Sequence, residues 1–438
     1  MRKLLAFIVA ALVCTGLRAQ YADNVAASLQ MSETASELCE HIRFLSSAAL
    51  EGRGAGTEGE KEAAGYVYDA LRDAGIDMLS SREGDLFGMR QEAGDTLTSR
   101  NVIGFIPGYD PKLRDHYIVI GARLDNLPPA TVSVNGEIRE KIYYGANSNA
   151  SGLAALVRLA RTLNTNRVLL KRAVIIAAFG ASSRLCAGSW YFLNRTFPDS
   201  ANIDAMINLD MLGTGSNGFF AYTCSNEDMN AYVRELSSTL QPVKPELVSA
   251  EPFCSDHRSF YASEIPSVLF TTGTFPEYGS DRDVESIIEY DWMERELEYI
   301  YNFTVSLAGG AAPNFKTPVG GAHSGDAEVV QYYDCDNPPT FFGSSDPVKF
   351  LKKWVYIYLR YPQEAVRQGI QGRVLVDFII DEKGKVTDVK VIKGVDELLD
   401  EEAVRVIQAS PDWKPGKVHG RKVKTELSLY VEFRLEKK

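Results

Sequence analysis

Arg123, Asp125, Ser148, Ser182, Ser183 and Asp210 are the residues of this 438-residue chain whose types could support nucleophilic, acid-base or metal chemistry at one place. A serine nucleophile needs a base within hydrogen-bond reach. No histidine follows Ser182 or Ser183 in the setting of a nucleophile elbow, which speaks against a serine hydrolase. A histidine-based metal centre is equally hard to assemble. The chain has five histidines, His41, His116, His257, His323 and His419, with no HxH or HExxH pair among them. Only His257 lies near the other candidates, and in its Ser-Asp-His setting a packing role is a simpler reading than metal ligation. The glycine-rich stretch GRGAGTEG (52–59) lacks the Lys-Ser/Thr ending and the preceding strand of a phosphate loop, so it reads as a loop packed on a sheet. What does stand together chemically is one cation and two carboxylates. A guanidinium has no lone pair to give a metal. It can instead neutralise two buried carboxylates that would otherwise repel each other. The expectation is therefore an ion pair of Arg123 with Asp210 or with Asp125.

The elements that must position these residues follow from hydropathy. YIVIGA (117–122), AVIIAAF (173–179), AMINLD (205–210) and PSVLF (266–270) are short apolar runs of the kind that form buried strands. Leu153, Leu156, Val157, Ala160 and Leu163 repeat at helical spacing between the first two. The pattern predicts an α/β fold, a mixed sheet covered by helices on both faces. In open α/β sheets ligands bind beyond the carboxyl ends of the strands. Arg123, Ser182, Ser183, Asp210 and the loop leading to Gly279 all fall at or just past such ends. Arg123, Ser182, Ser183 and Asp210 are the part of the expected pocket that this rule places; Asp125, Asn147, Ser148, His257 and Tyr278 join it through the motifs that follow. Core filling accounts for most aromatic residues of the body, including Trp190, Tyr191, Phe192, Phe219 and Phe220, with some left to line a pocket.

An ordered string of motifs carries a family resemblance: GARLDN (121–126), YGANSNASG (144–152), AFGASSRLCAGS (178–189), NLDM (208–211), SDH (255–257) and TGTFPEYG (272–279), preceded by LSSAALEGRGAGTEGEKEAAGYV (45–67). It resembles the secreted two-zinc aminopeptidases, related to bacterial leucyl aminopeptidase and of the glutamate carboxypeptidase II type, with a phosphorylase/hydrolase-like fold. The resemblance implies that Arg123 stands at the first histidine ligand and Ser148 at the bridging aspartate. It places Ser182 at the general-base glutamate, Ser183 at the neighbouring ligand and Gly279 at the last histidine. Asp210 is the one ligand kept, and Asp125 the orienting acid. Loss of the base alone removes about 10²–10⁴ in rate. The resemblance thus implies a peptidase frame with no zinc and no catalytic residues expected. An active zinc aminopeptidase with an unconventional site is the alternative.

The C-terminal part has a different texture. Residues 311–346 are rich in Gly, Pro, Asn and Asp and read as a linker. GRVLVDFII (372–380) alternates Val374, Val376, Phe378 and Ile380, turns at DEKGK and continues as VTDVKVI (386–392), a hairpin signature. Asp396 then caps a helix carrying Leu399, Ala403, Val406 and Ile407, and residues 423–435 give a last strand. Residues 361–416 are similar to the C-terminal domain of TonB, which implies a small α+β domain that docks by strand addition to a sheet edge. TonB proteins carry an inner-membrane anchor and a long Pro-rich spacer that this chain lacks, so docking rather than energy transduction is implied.

Charge supports the division: from residue 347 onward 19 Lys+Arg face 14 Asp+Glu, whereas the rest holds 28 against 44. An acidic chain of net charge −11 without basic-aromatic interleaving argues against nucleic acid as a partner. Residues 1–20 read as a signal peptide: Arg2 and Lys3, an apolar run over 4–17, then the small Ala19 at the cut. That run is short of the roughly 20 residues that span a bilayer, and no other stretch is long enough. Val13 is too large to precede a lipidated Cys14. The organisation expected is signal peptide 1–20, aminopeptidase-like domain 21–310, linker 311–346 and TonB-like domain 347–438, in a protein exported to the periplasm or the outer-membrane surface. Cys39, Cys186, Cys224, Cys254 and Cys335 then leave at least one free thiol; a Cys224–Cys254 disulfide is open because both flank one segment, while isolated buried cysteines are the simpler reading for most. Two readings follow beside the active enzyme: a non-catalytic binder of peptide or protein, and an adaptor to an outer-membrane transporter or other periplasmic protein.

Overall fold

The computed structural model describes residues 31–90, 95–134, 137–197, 202–248, 251–315, 329–332, 335, 337–345, 347–418 and 420–435. The expected signal segment and His323 and His419 lie outside these residues. Two compact units divide the chain, Met1–Pro318 and Val319–Lys438.

The first unit contains β1 (Asp77–Met78), β2 (Asp85–Arg90), β3 (Thr96–Ile106), β4 (Tyr117–Arg123), β5 (Ala130–Val134), β6 (Glu137–Lys141), β7 (Ala173–Phe179), β8 (Ile203–Leu209), β9 (Phe220–Tyr222), β10 (Glu246–Val248) and β11 (Ser267–Thr271). Its main sheet runs β1-β3-β7-β4-β8-β11-β9-β10 with β2 added to β3, while β5 and β6 form a separate hairpin. The centre is parallel, β7 to β4 to β8 to β11. β3 and β9 join it antiparallel, which makes the sheet mixed. Every residue of β7 is buried, as a strand covered on both faces requires. Ile118, Ile120, Val174, Ile176 and Ile207 face one core, shared with helices Glu33–Leu45, Ser151–Thr165 and Tyr290–Gly309. Val119, Ile175, Ala177 and Met206 face the other, against Phe192 and Phe260. Each such buried side chain contributes about 1.5–3 kcal/mol over exposure. The helical repeat of Leu153, Leu156, Val157, Ala160 and Leu163 is the buried stripe of Ser151–Thr165.

The second unit contains β12 (Val329–Gln331), β13 (Gly372–Ile380), β14 (Val386–Lys393), β15 (Lys417–Val418), β16 (Arg421–Lys422) and β17 (Lys424–Phe433). Its sheet runs β12-β17-β13-β14, antiparallel except for the parallel pair β12 and β17. Val374, Val376, Phe378 and Ile380 are buried on one face with Val431 and Phe433, and helix Glu397–Gln408 covers them with Leu399, Ala403, Val406 and Ile407. Asp396 caps that helix, its carboxylate accepting from Leu398 N at 3.0 Å. Gly384, in the hairpin turn, has φ 94, and a Cβ there would lie 1.8 Å from the Trp413 carbonyl.

The linker expected over 311–346 needs correction. Val329–Gln331 is a strand of the second unit's sheet, and Tyr332 and Phe341 are 1% exposed in its core. Composition suggested a linker because Gly, Pro, Asn and Asp outnumber apolar residues there, yet a few large rings suffice to tie a segment down. No helix among the described residues is long and apolar enough to cross a membrane.

Candidate functional site

The parallel strands bring the candidate residues to one end of the sheet. Arg123 closes β4, Asp210 follows β8, and Ser182 and Ser183 sit in the turn after β7. Arg123 Nη2 donates to Asp210 Oδ1 at 3.2 Å and to Ser148 Oγ at 2.9 Å. Of the two pairings expected for Arg123, the structure thus forms the one with Asp210. The pair is nearly dry, with side chains 12% and 2% exposed. The other Asp210 oxygen accepts from Ser255 Oγ at 2.7 Å. Asp125 accepts from Ser182 N at 2.7 Å on one oxygen, and from Ser183 N at 3.1 Å and Ser183 Oγ on the other. The turn that aims these donors is tightly wound: Ala181, Leu185 and Cys186 all have φ between 51 and 58, a region uncommon for residues with a Cβ.

Asp256 completes a set of three buried carboxylates. It accepts from Ser182 Oγ and Ser189 Oγ, both at 2.6 Å. Asp256 belongs to the Ser-Asp-His motif, but its place in the cluster depends on chain packing that the motif does not show. Asp283, which no motif marks, accepts from Asn147 N at 2.7 Å and Ser148 N at 3.1 Å and so fixes the Ser148 loop. Arg53, inside GRGAGTEG, is 1% exposed and braces two site loops by donating to the carbonyls of Tyr144 and Gly145, both at 3.0 Å.

Other expected pocket residues take different places. Asn147 turns its side chain to Thr214, Ser151 and the Gly213 N–H, a scaffolding role. His257 is fully buried and its Nε2 meets Glu251 at 2.8 Å, away from Arg123. Tyr278 is 44% exposed. Gly279, at φ 65, has no atom within 4 Å of where a Cβ would stand, so nothing packs where a side chain would project. No disulfide joins Cys224 to Cys254, the pair that sequence left open.

Burial and charge act in opposite directions here. Burial disfavours the Arg123 cation, but Asp210, Tyr278, Asp125 and Asp256 outweigh it and hold its pKa above the usual value. Burial raises the Asp125 carboxyl against the Ser183 hydrogen bond and the Arg123 charge. Asp256 is pushed up to about 7 by burial, against the hydroxyls of Ser182 and Ser189 and with the help of Asp125 and Asp210. A folded carboxyl raised above its ordinary 3.8 binds its proton more tightly than the unfolded chain does. The resulting stability is full below about pH 4 and is lost as pH rises to about 7. Asp256→Asn, uncharged throughout, is expected to melt higher relative to the wild type at pH 8 than at pH 5. Thermal melts at the two pH values decide it: an equal difference at both would rule out the protonated carboxyl.

The donor set does not suit zinc. Both oxygens of Asp210 and both of Asp125 already accept from Arg123 or serine groups. The Arg123 guanidinium supplies the cation beside Asp210, and among the described residues no imidazole hydrogen-bonds to Asp125, Asp210 or Asp256. Among the described residues no group of three or more His, Cys, Asp or Glu is arranged to hold a metal ion.

Residues 101–304 match the model of Peptidase family M28, and residues 357–435 match that of the Gram-negative bacterial TonB protein C-terminal. A leucine aminopeptidase precursor from Bacteroides thetaiotaomicron is 19% identical over 62% of this chain and 96% of its own, with a TM-score of 0.51. The LapA aminopeptidase of Legionella pneumophila is 19% identical over 65% of this chain and 74% of its own, with a TM-score of 0.50. At these identities the likeness is one of fold.

Proposed function

We propose that this chain, a peptidase family M28 domain followed by a TonB C-terminal domain, is an exported envelope protein that binds peptide or protein segments without hydrolysing them. The observation that carries the reading is the Arg123 guanidinium held between Asp210 and Ser148. A fixed cation at that place does the electrostatic work of neutralising the carboxylates but supplies no Lewis acid and no activated water. Ser182, at the position of the general base, spends its hydroxyl on Asp256 and has no pKa suited to proton abstraction near neutral pH. Leu185, Trp190 and Tyr278 are 92%, 52% and 44% exposed close in sequence to the carboxylate-binding serines and Gly279, and they offer apolar contact to a ligand.

The second unit docks a partner strand in this reading, an outer-membrane or periplasmic protein being the partner class. Its sheet ends at β14, an edge strand of eight residues with Ile392 51% exposed. Unpaired backbone groups along such an edge are what strand addition uses.

The test is metal analysis of the purified full chain at pH 7 together with release of N-terminal residues from unblocked peptides. Zinc well below one ion per chain and no turnover above a buffer blank are expected. Stoichiometric zinc with turnover would establish the alternative, an active metallo-aminopeptidase.

A further inference from the structure

We propose that the second unit carries a cleft for the C-terminal residue of a partner protein, one that combines a free α-carboxylate with a large apolar side chain. The cleft has a volume of about 290 Å³. Trp354, Ile357, Tyr358 and Arg360 line it from one segment, and Arg405 and Val406 from the helix Glu397–Gln408. Residues 347–358 are helical, and their inner side is spent on the core through Phe350 and Val355. Their outer side is not. Tyr356, Ile357 and Tyr358 are three consecutive large residues left 44%, 62% and 51% exposed, a run of the kind that marks an interaction surface. The walls are held in place by the fold itself. Trp354 Nε1 donates to the Val406 carbonyl at 2.9 Å, and its ring lies 4.2 Å from that of Tyr358, centroid to centroid. Arg405 donates from Nε and Nη2 to the two Glu402 oxygens at 2.6 and 2.7 Å, and from Nη2 to the Tyr358 carbonyl at 3.0 Å.

Charge selects the ligand. Arg405 neutralises Glu402, whose Oε1 also accepts from the Arg360 N–H at 2.5 Å. Among the described residues nothing accepts from the Arg360 guanidinium, so it brings an uncompensated positive charge to the cleft. Lys352 and Lys353, on the same helical segment, are exposed and add to that charge. A carboxylate meets a guanidinium fork with two parallel charge-assisted hydrogen bonds, whereas an ammonium is repelled. The volume lies at the lower end of what small-ligand clefts offer, which suits one large residue and not a chain passing through. A terminal residue meets both demands, since its carboxylate and its side chain leave the same carbon. A flat lipid surface would not enter the cleft. The site shares no residue with the Arg123 cluster or the β14 edge and rests on neither.

The experiment titrates the purified full chain, by calorimetry, with acetyl-Gly-Gly-Phe bearing a free carboxylate, with its C-terminal amide and with acetyl-Gly-Gly-Ala. The Phe acid is expected to bind. The amide should bind about 10–100-fold more weakly through loss of the charged hydrogen bonds, and the Ala acid about 10-fold more weakly through lost apolar burial. Arg360→Gln should abolish the preference for acid over amide and leave Tm within about 2 °C of the wild type, because the side chain is exposed and unpaired. Equal affinity for acid and amide, no binding of the Phe acid at millimolar concentration, or an acid preference that survives Arg360→Gln would overturn the proposal. Phosphatidylglycerol vesicles and analytical sedimentation of the chain alone test the other occupants. A face that takes lipid or a second copy of the chain in place of the peptide acid would overturn it as well.

Discussion

Arg123→Met is expected to lower the Tm of the first unit by roughly 6–20 °C. Removing one partner of a buried ion pair leaves the other charge unpaired, which costs about 3–5 kcal/mol, and a domain of this size loses about 2–4 °C per kcal/mol. Here the abandoned charge is Asp210, 2% exposed and left with Ser255 as its remaining donor. Asp125 and Asp256 add to the loss, because the same guanidinium is the cation that offsets them both. Combining Arg123→Met with Asp210→Asn is expected to recover most of the stability, since the double variant buries no orphan charge there. The thermal melts form a double-mutant cycle, which separates the pair's coupling from the cost of each change. A single variant that melts within about 2 °C of the wild type would mean that Arg123 is not the counter-ion of this cluster.

Phe341→Ala is expected to destabilise the second unit by about 3–5 kcal/mol, the usual result of emptying a buried aromatic position. The ring is 1% exposed and lies 4.9 Å from Phe350 and 5.0 Å from Trp413, centroid to centroid. Phe342 next to it is 68% exposed, so Phe342→Ala should change stability by less than about 0.5 kcal/mol. Denaturant unfolding followed through Trp413 fluorescence reads both. Equal small effects would return this stretch to the status of a linker. The contrast is informative because the two residues are neighbours of one type, in a segment whose composition reads as a spacer.

The central strands β4, β7, β8 and β11, the helix Ser151–Thr165 and the hairpin of the second unit were legible because their patterns are local. β7 is buried at every position, and its sequence is apolar at every position. β13 alternates, as a strand with one covered face must. The ion pair was legible because Arg123 and Asp210 sit at the ends of runs that read as parallel strands. Asp256 and Asp283 were harder. Asp256 lies 46 residues from Asp210 along the chain and enters the cluster through β8 pairing with β11 and the helix His257–Ala262 packing beneath them. Asp283 meets Ser148 across 135 positions, with no periodicity to announce it. His257 went to Glu251 because a buried imidazole takes the carboxylate within reach, and which one that is depends on the path of the chain.

By itself the sequence determined the central strands, the helix between the first two, the hairpin and helix of the second unit, and which strand ends line the site. Those follow from side-chain hydropathy. The tertiary structure alone decided that Arg123 chooses Asp210, that Ser182 joins Asp125 to Asp256, and that Tyr332 and Phe341 belong to a core. Each of these is a contact between residues distant in sequence. Its energy depends on burial and on distances of a few ångströms, which only the packed chain fixes.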